Sequence, residues 1–139
     1  MVAEMVVYEK LKILHDTVNW VSKFASKVHK THPGYNPEGQ DGLGYDIEYF
    51  DNYGNKFFVE VKGKADNIDS FEISKNELDR AHAEKDFYKI IFVTQTMNNS
   101  HRRIRDLGNL FLLDAGEDFL ANRKFKAIYR NFEIQFQEQ

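Results

Sequence analysis

Three charged residues stand on two short apolar segments in "GLGYDIEYFDNYGNKFFVEVKG", residues 42–63: Asp46, Glu60 and Lys62. Side chains alternate faces along an extended strand. Phe57, Val59 and Val61 therefore form one set, and Phe58, Glu60 and Lys62 the other. Tyr45, Ile47 and Tyr49 likewise oppose Asp46, Glu48 and Phe50. "YDIEYF" and "KFFVEVKG" read as a hairpin around "DNYGN". With a turn symmetric about Tyr53, Asp46 lies directly opposite Glu60, with Cβ atoms roughly 4.5–5.5 Å apart.

Two carboxylates that close repel, and a divalent cation between them removes the penalty. Magnesium favours one or two carboxylates together with water and substrate phosphate oxygens. Lys62 points to the same side, where it would steady an attacking water or the charge that develops on a phosphate. A solvated hairpin face on which Lys62 merely neutralises two acids accounts for the same pattern. Spacing leaves both readings open, and a register slip of one residue would move Asp46 to the other face.

Other elements must position this group. Val7, Leu11, Leu14, Val18, Val21, Ala25 and Val28 follow a helical spacing. Within that stretch "VNWVS" also alternates, so one long helix and a helix followed by a strand both fit. "THPGYNPEGQDGLG" holds both prolines and four of the eight glycines and is a loop. "SFEIS" reads as a short strand. Ser74 to Glu77 is a capping box that opens a helix of about ten residues. "YKIIFVT" is an apolar run suited to a strand buried on both faces. "LGNLFLL", "KFKAIY" and "FEIQF" read as short strands, with "AGEDFLAN" a turn or short helix between them. The order is mixed α/β, or α+β.

The 139 residues fit a single domain spanning 1–139. No cysteine is present, which excludes disulfides, thiolate zinc sites and cysteine nucleophiles, and it favours a cytoplasmic location. No apolar run approaches a membrane span. The net charge is −3, so contact with nucleic acid would use local patches.

"GYDI" followed by "VEVKG" resembles the PD-(D/E)XK nuclease superfamily. More closely, the chain is similar to its NO VEIN C-terminal-like branch, found in restriction and defence proteins. "AEMVVYEKL", "NPEGQDGLGYDI", "FEISKNEL", "LGNLF" and "GEDFLANRKF" carry that similarity from about residue 3 to residue 137. The resemblance implies a restriction-endonuclease-like core, a central mixed sheet flanked by helices, with short C-terminal strands. It implies Mg2+, with Mn2+ as a substitute, held by Asp46, Glu60 and the carbonyl of Val61, and Lys62 as the catalytic lysine. It further implies a glutamate on the first helix as a metal ligand, Glu4, with Glu9 as the fallback. The resemblance also favours "VNWVS" as a strand. Tyr45 stands where the superfamily motif has proline.

The implied activity is a magnesium-dependent DNA endonuclease linked to restriction or anti-phage defence. The alternative is a non-cleaving nucleic-acid-binding module of a larger protein. Nucleic acid, chiefly DNA, is the expected partner, with a homodimer or other domains of a longer chain beside it. Glu77 closes the capping box and is also a candidate catalytic residue. Gly44 and its neighbours are turn glycines whose backbone approaches the nucleic-acid strand. Lys64, Arg102, Arg103 and Arg105 are candidate nucleic-acid contacts, the arginines in a solvated run or a phosphate-contacting loop after the apolar strand. His29 and His32, beside Pro33 and Gly34, are poorly arranged for zinc.

Overall fold

The structure is a computed structural model that describes residues 2–28, 42–112, 125–128 and 133–136. The first apolar stretch is divided, as the alternation in "VNWVS" allowed. Helix α1 spans Val2–Leu14, strand β1 Val18–Trp20 and helix α2 Lys23–Val28. Ala3, Val7, Tyr8 and Leu11 form the buried stripe of α1. The turn after it is closed by the His15 N–H, which donates to the Leu11 carbonyl.

The hairpin forms in the expected register. Strand β2 is Ile47–Phe50 and β3 is Lys56–Gly63, paired antiparallel with Ile47 opposite Val59 and Phe50 opposite Lys56. Asp51 fixes the turn by accepting from the backbone N–H groups of Tyr53 and Asn55. After β3 come β4 (Ser70–Glu72), α3 (Lys75–Glu84), a 3-10 turn (Lys85–Phe87) and β5 (Tyr88–Thr94). β6 is Arg103–Asp106, β7 Phe125–Ile128 and β8 Glu133–Phe136.

Among the described residues the central sheet has five strands in the order β1-β2-β3-β5-β6, with β3 and β5 parallel and the other neighbours antiparallel. This is a mixed α+β architecture, a mixed sheet flanked by helices. β4, β8 and β7 form a second, three-stranded sheet.

Both faces of the central sheet are covered. On one, Val7, Tyr8 and Leu11 of α1 pack with Trp20, Ile47, Tyr49, Val59, Val61 and Val93. On the other, Phe71, Ala81, Tyr88, Ile90, Phe92 and Phe111 form the core, with Tyr45, Phe58 and Leu78 against it. β5 is buried on both faces, as its apolar run predicts.

Three details differ from the sequence reading. Tyr45 packs with Phe58 and not with Ile47 and Tyr49. Strict alternation fails because β2 begins only at Ile47 and the chain bends at Asp46. "LGNLFLL" is not a strand in its described part: Asn109 turns the chain by accepting from the Phe111 N–H and caps α3 by donating to the Ala81 and Lys85 carbonyls. Arg103 and Arg105 lie on a strand, β6, and not in a loop. "KFKAIY" and "FEIQF" do supply strands β7 and β8. His29, His32 and "AGEDFLAN" lie outside the described residues.

Candidate functional site

β2 stops at Ile47 while β3 runs on to Gly63, so beyond Val59 the β2-facing edge of β3 is open. Asp46 fills that edge. Its N–H donates to the Val59 carbonyl at 2.8 Å, and its Oδ2 accepts from the Val61 N–H at 2.9 Å. A strand residue's N–H and C=O point to the same side. The Val61 carbonyl is therefore directed toward the Asp46 side of β3. The Asp46 carbonyl accepts from the Val21 and Ser22 N–H groups, which ties the bend to the end of β1.

Glu60 and Lys62 project from β3 toward α3. Glu60 is 5% exposed. The Lys62 ammonium lies 3.4 Å from Glu60 Oε1 and 2.7 Å from Glu77 Oε1. Glu77 closes the capping box of α3, accepting from the Ser74 N–H at 3.0 Å through that same Oε1. Its capping and its contact with Lys62 are thus one arrangement: the first turn of α3 sets the carboxylate that sets the lysine.

Two glycines let the helices come this near. A Cβ on Gly63 would lie 2.5 Å from the Ala3 Cβ, so α1 rests directly on the end of β3 and carries Glu4 with it. Gly44 has φ +82°, and a Cβ there would lie 2.5 Å from the Asn76 carbonyl oxygen of α3. The Tyr88 hydroxyl donates to the Gly44 carbonyl, and Arg80 Nε to that of Leu43. The Arg80 guanidinium also lies over the Tyr45 and Phe58 rings.

The result is a cleft of about 190 Å³ lined by Ser22, residues 42–46, Glu60, Ser74, Asn76 and Glu77. Its electrostatics are those of crowded acids. Burial, reinforced by the Glu4 charge, pushes Asp46 from its ordinary 3.8 up to about 7, against the Val61 N–H and Lys62. Burial and the Asp46 charge push Glu60 well above its usual range. Burial alone would lower Lys62, but Glu60 and Glu77 outweigh it and hold the ammonium above its ordinary value. For Glu77, burial is outweighed by Lys62 and the Ser74 N–H, so the carboxylate is held low. At neutral pH Lys62 is a hydrogen-bond donor and not a base.

Asp46, Glu60, Lys62, Glu77, Gly44 and the Val61 backbone are brought together as named from the sequence, with Glu4 behind Asp46. Glu4 accepts from Trp20 Nε1 at 2.9 Å and from the Ser22 hydroxyl. Among the described residues no three Asp, Glu, His or Cys side chains stand together as a metal-ligating group.

The remaining candidates stand elsewhere. Lys64 follows β3, its N–H bonded to the Val93 carbonyl and its own carbonyl to the Thr96 N–H. Arg102 donates to the Thr96 carbonyl and Asn99, and Arg105 pairs with Asp69 over the Phe92 ring. Arg103 is exposed. Sequence reasoning missed Ser22 and Arg80. The alternation of Trp20 with Ser22 was the available signal for the first; nothing in the sequence marked the second.

Among the described residues no helix is long and apolar enough to cross a membrane. No curated protein and no solved structure gives a match to this chain. The family model described as "Protein NO VEIN, C-terminal" matches residues 3–106, from the first turn of α1 to the end of β6, and stops before "LGNLF" and "GEDFLANRKF". With three quarters of its length matched, including every cleft residue named above, the chain belongs to the NO VEIN C-terminal family.

Proposed function

We propose that the cleft is the active site of a magnesium-dependent phosphodiesterase acting on DNA, of the PD-(D/E)XK type and linked to restriction or defence. The observation that carries this reading is the crowding of Asp46 and Glu60 beside a fixed Lys62. Burial raises the proton affinity of both acids, with the Glu4 charge adding to it at Asp46 and the Asp46 charge adding to it at Glu60. A divalent cation is the ligand that such a pair favours.

The donor set fits magnesium. Two carboxylates and the Val61 carbonyl supply oxygens only, and this ion completes its shell with water and phosphate oxygens. Two acids therefore suffice without a third acidic or histidine ligand. Bound there, the cation would neutralise the pair and polarise a phosphate oxygen and a water.

The chain's own residues do the rest. Lys62, held protonated, donates to a non-bridging phosphate oxygen or to the attacking water. Glu77 keeps the ammonium aimed, through the 2.7 Å contact that the helix cap enforces. Water adds to phosphorus and gives up a proton to solvent, the bond to one sugar oxygen breaks and that oxygen takes a proton from solvent, and no residue of the chain forms a covalent bond.

The test is incubation of duplex DNA, single-stranded DNA and RNA with Mg2+ or Mn2+. Cleavage of DNA by wild type, lost on chelation and in Lys62→Ala, is expected. A second reading, a module that holds nucleic acid without cutting it, is favoured by the engagement of Lys62 with two acids at once. Binding that weakens steeply with salt and yields no product would select it.

A further inference from the structure

The sequence motif does not account for Ser22 or Trp20. Trp20 is 1% exposed and Ser22 4%, yet both direct polar atoms at one carboxylate. The Trp20 indole N–H lies 2.9 Å from Glu4 Oε1 and 3.1 Å from Ser22 Oγ, and the Ser22 hydroxyl donates to the same Oε1. Glu4 is itself 7% exposed, on the first turn of α1. A carboxylate that buried is costly unless donors meet it. Both of these donors sit on Oε1, and among the described residues no donor meets Oε2.

Ser22 has a second attachment. Its N–H donates to the Asp46 carbonyl at 3.2 Å, beside that of Val21 at 2.9 Å. One residue thus holds Glu4 through its side chain and Asp46 through its backbone, and it also lines the cleft. The buried Trp20 N–H and Ser22 hydroxyl need an acceptor, and the single oxygen Oε1 serves both. The second oxygen of Glu4 is left uncommitted by that pairing.

We propose that Ser22 and Trp20 are positioning residues that clamp Glu4 against Asp46, so that Glu4 acts as a fixed outer carboxylate of the cation site. This inference rests on the cation reading above. Hydrogen-bond partners behind a metal's ligands typically influence affinity by 10–100-fold, and Ser22 is placed to act in that way.

The chain has one tryptophan, so its ¹H–¹⁵N spectrum carries one indole cross-peak that reports the clamp directly. Mg2+ would be titrated into the labelled full chain as wild type, Ser22→Ala and Ser22→Thr. In wild type the indole peak should move saturably, with the same midpoint as the Asp46 and Val61 amides. In Ser22→Ala the midpoint should rise by about 10–100-fold, and Ser22→Thr, which keeps the hydroxyl, should stay near wild type. Unchanged β5 amides would show that the variants are folded. An indole peak that stays still while the Asp46 and Val61 amides move overturns the clamp and leaves the cation reading standing. So does a wild-type midpoint in Ser22→Ala. No response anywhere in wild type overturns both. The wild-type response needs no variant, so a poorly folding Ser22→Ala does not block the test.

Discussion

Two stretches of this chain are dense in charge, "VEVKG" at the end of β3 and "HRRIR" leading into β6, and they behave differently. On β3 the charges converge: Glu60, Lys62, Asp46 and Glu77 meet in one cleft, where burial and mutual repulsion alter their proton affinities. On β6 they disperse. Arg102 turns to the Thr96 carbonyl, Arg103 faces solvent and Arg105 takes Asp69. Yet Lys62, Phe92 and Arg105 are cross-strand partners in one row. The strand environment decides the outcome. β3 loses its β2 neighbour just where its charges begin and two helix N-termini close over it, whereas β6 is the last of the described strands in its sheet.

The largest expected difference is in stability. Lys62→Met would leave Glu60 and Glu77 without their shared cation; removing one partner of a buried pair costs about 3–5 kcal/mol. Arg105→Met, whose partner Asp69 is half exposed, should cost only about 1 kcal/mol. Urea unfolding at pH 7.5 measures both, and equal losses would break the comparison.

Next comes a pH effect that belongs to the cleft alone. The folded chain holds the Asp46 proton up to about pH 7, against an ordinary 3.8. The unfolded state binds fewer protons over that window, so this contribution is complete below about pH 4 and is lost as pH rises to about 7. Glu60 acts in the same direction. The urea midpoint should therefore fall between pH 5 and pH 8, and Asp46→Asn should flatten the fall. A midpoint that rises in wild type would contradict the assignment. Cation binding displaces the same protons, so Mg2+ affinity should be higher at pH 8 than at pH 6.

The smallest effect sharpens the other side. Arg103→Ala should leave stability unchanged within about 0.5 kcal/mol. If β6 contacts phosphates, the slope of log affinity for duplex DNA against log salt should drop by about one. An unaltered slope removes Arg103 from the interface.

Much of the site was legible because it rests on local rules. The turn at Tyr53 set the register, the S-x-x-E box set α3, and alternation placed Glu60 and Lys62 on one face. What was not legible depends on chain ends and distant partners. Tyr45 changed side because one residue, Asp46, leaves the ladder to bind the Val61 N–H. The arginines read as a loop because their strand owes its pairing to β5 and not to any pattern of its own. Ser22 and Arg80 matter through contacts 18 and 37 residues away: alternation puts Ser22 on the Trp20 face without naming Glu4 as its partner, and no local spacing marks Arg80.

The central claim is that Asp46 and Glu60 together hold a divalent cation. Its most direct test is calorimetric titration of Mn2+ into wild type, Asp46→Ala and Glu60→Ala, each first shown to be folded and each repeated with a short DNA duplex present. The account predicts saturable binding in wild type that either substitution abolishes. Binding that survives both substitutions, or no binding by wild type with or without the duplex, would contradict it.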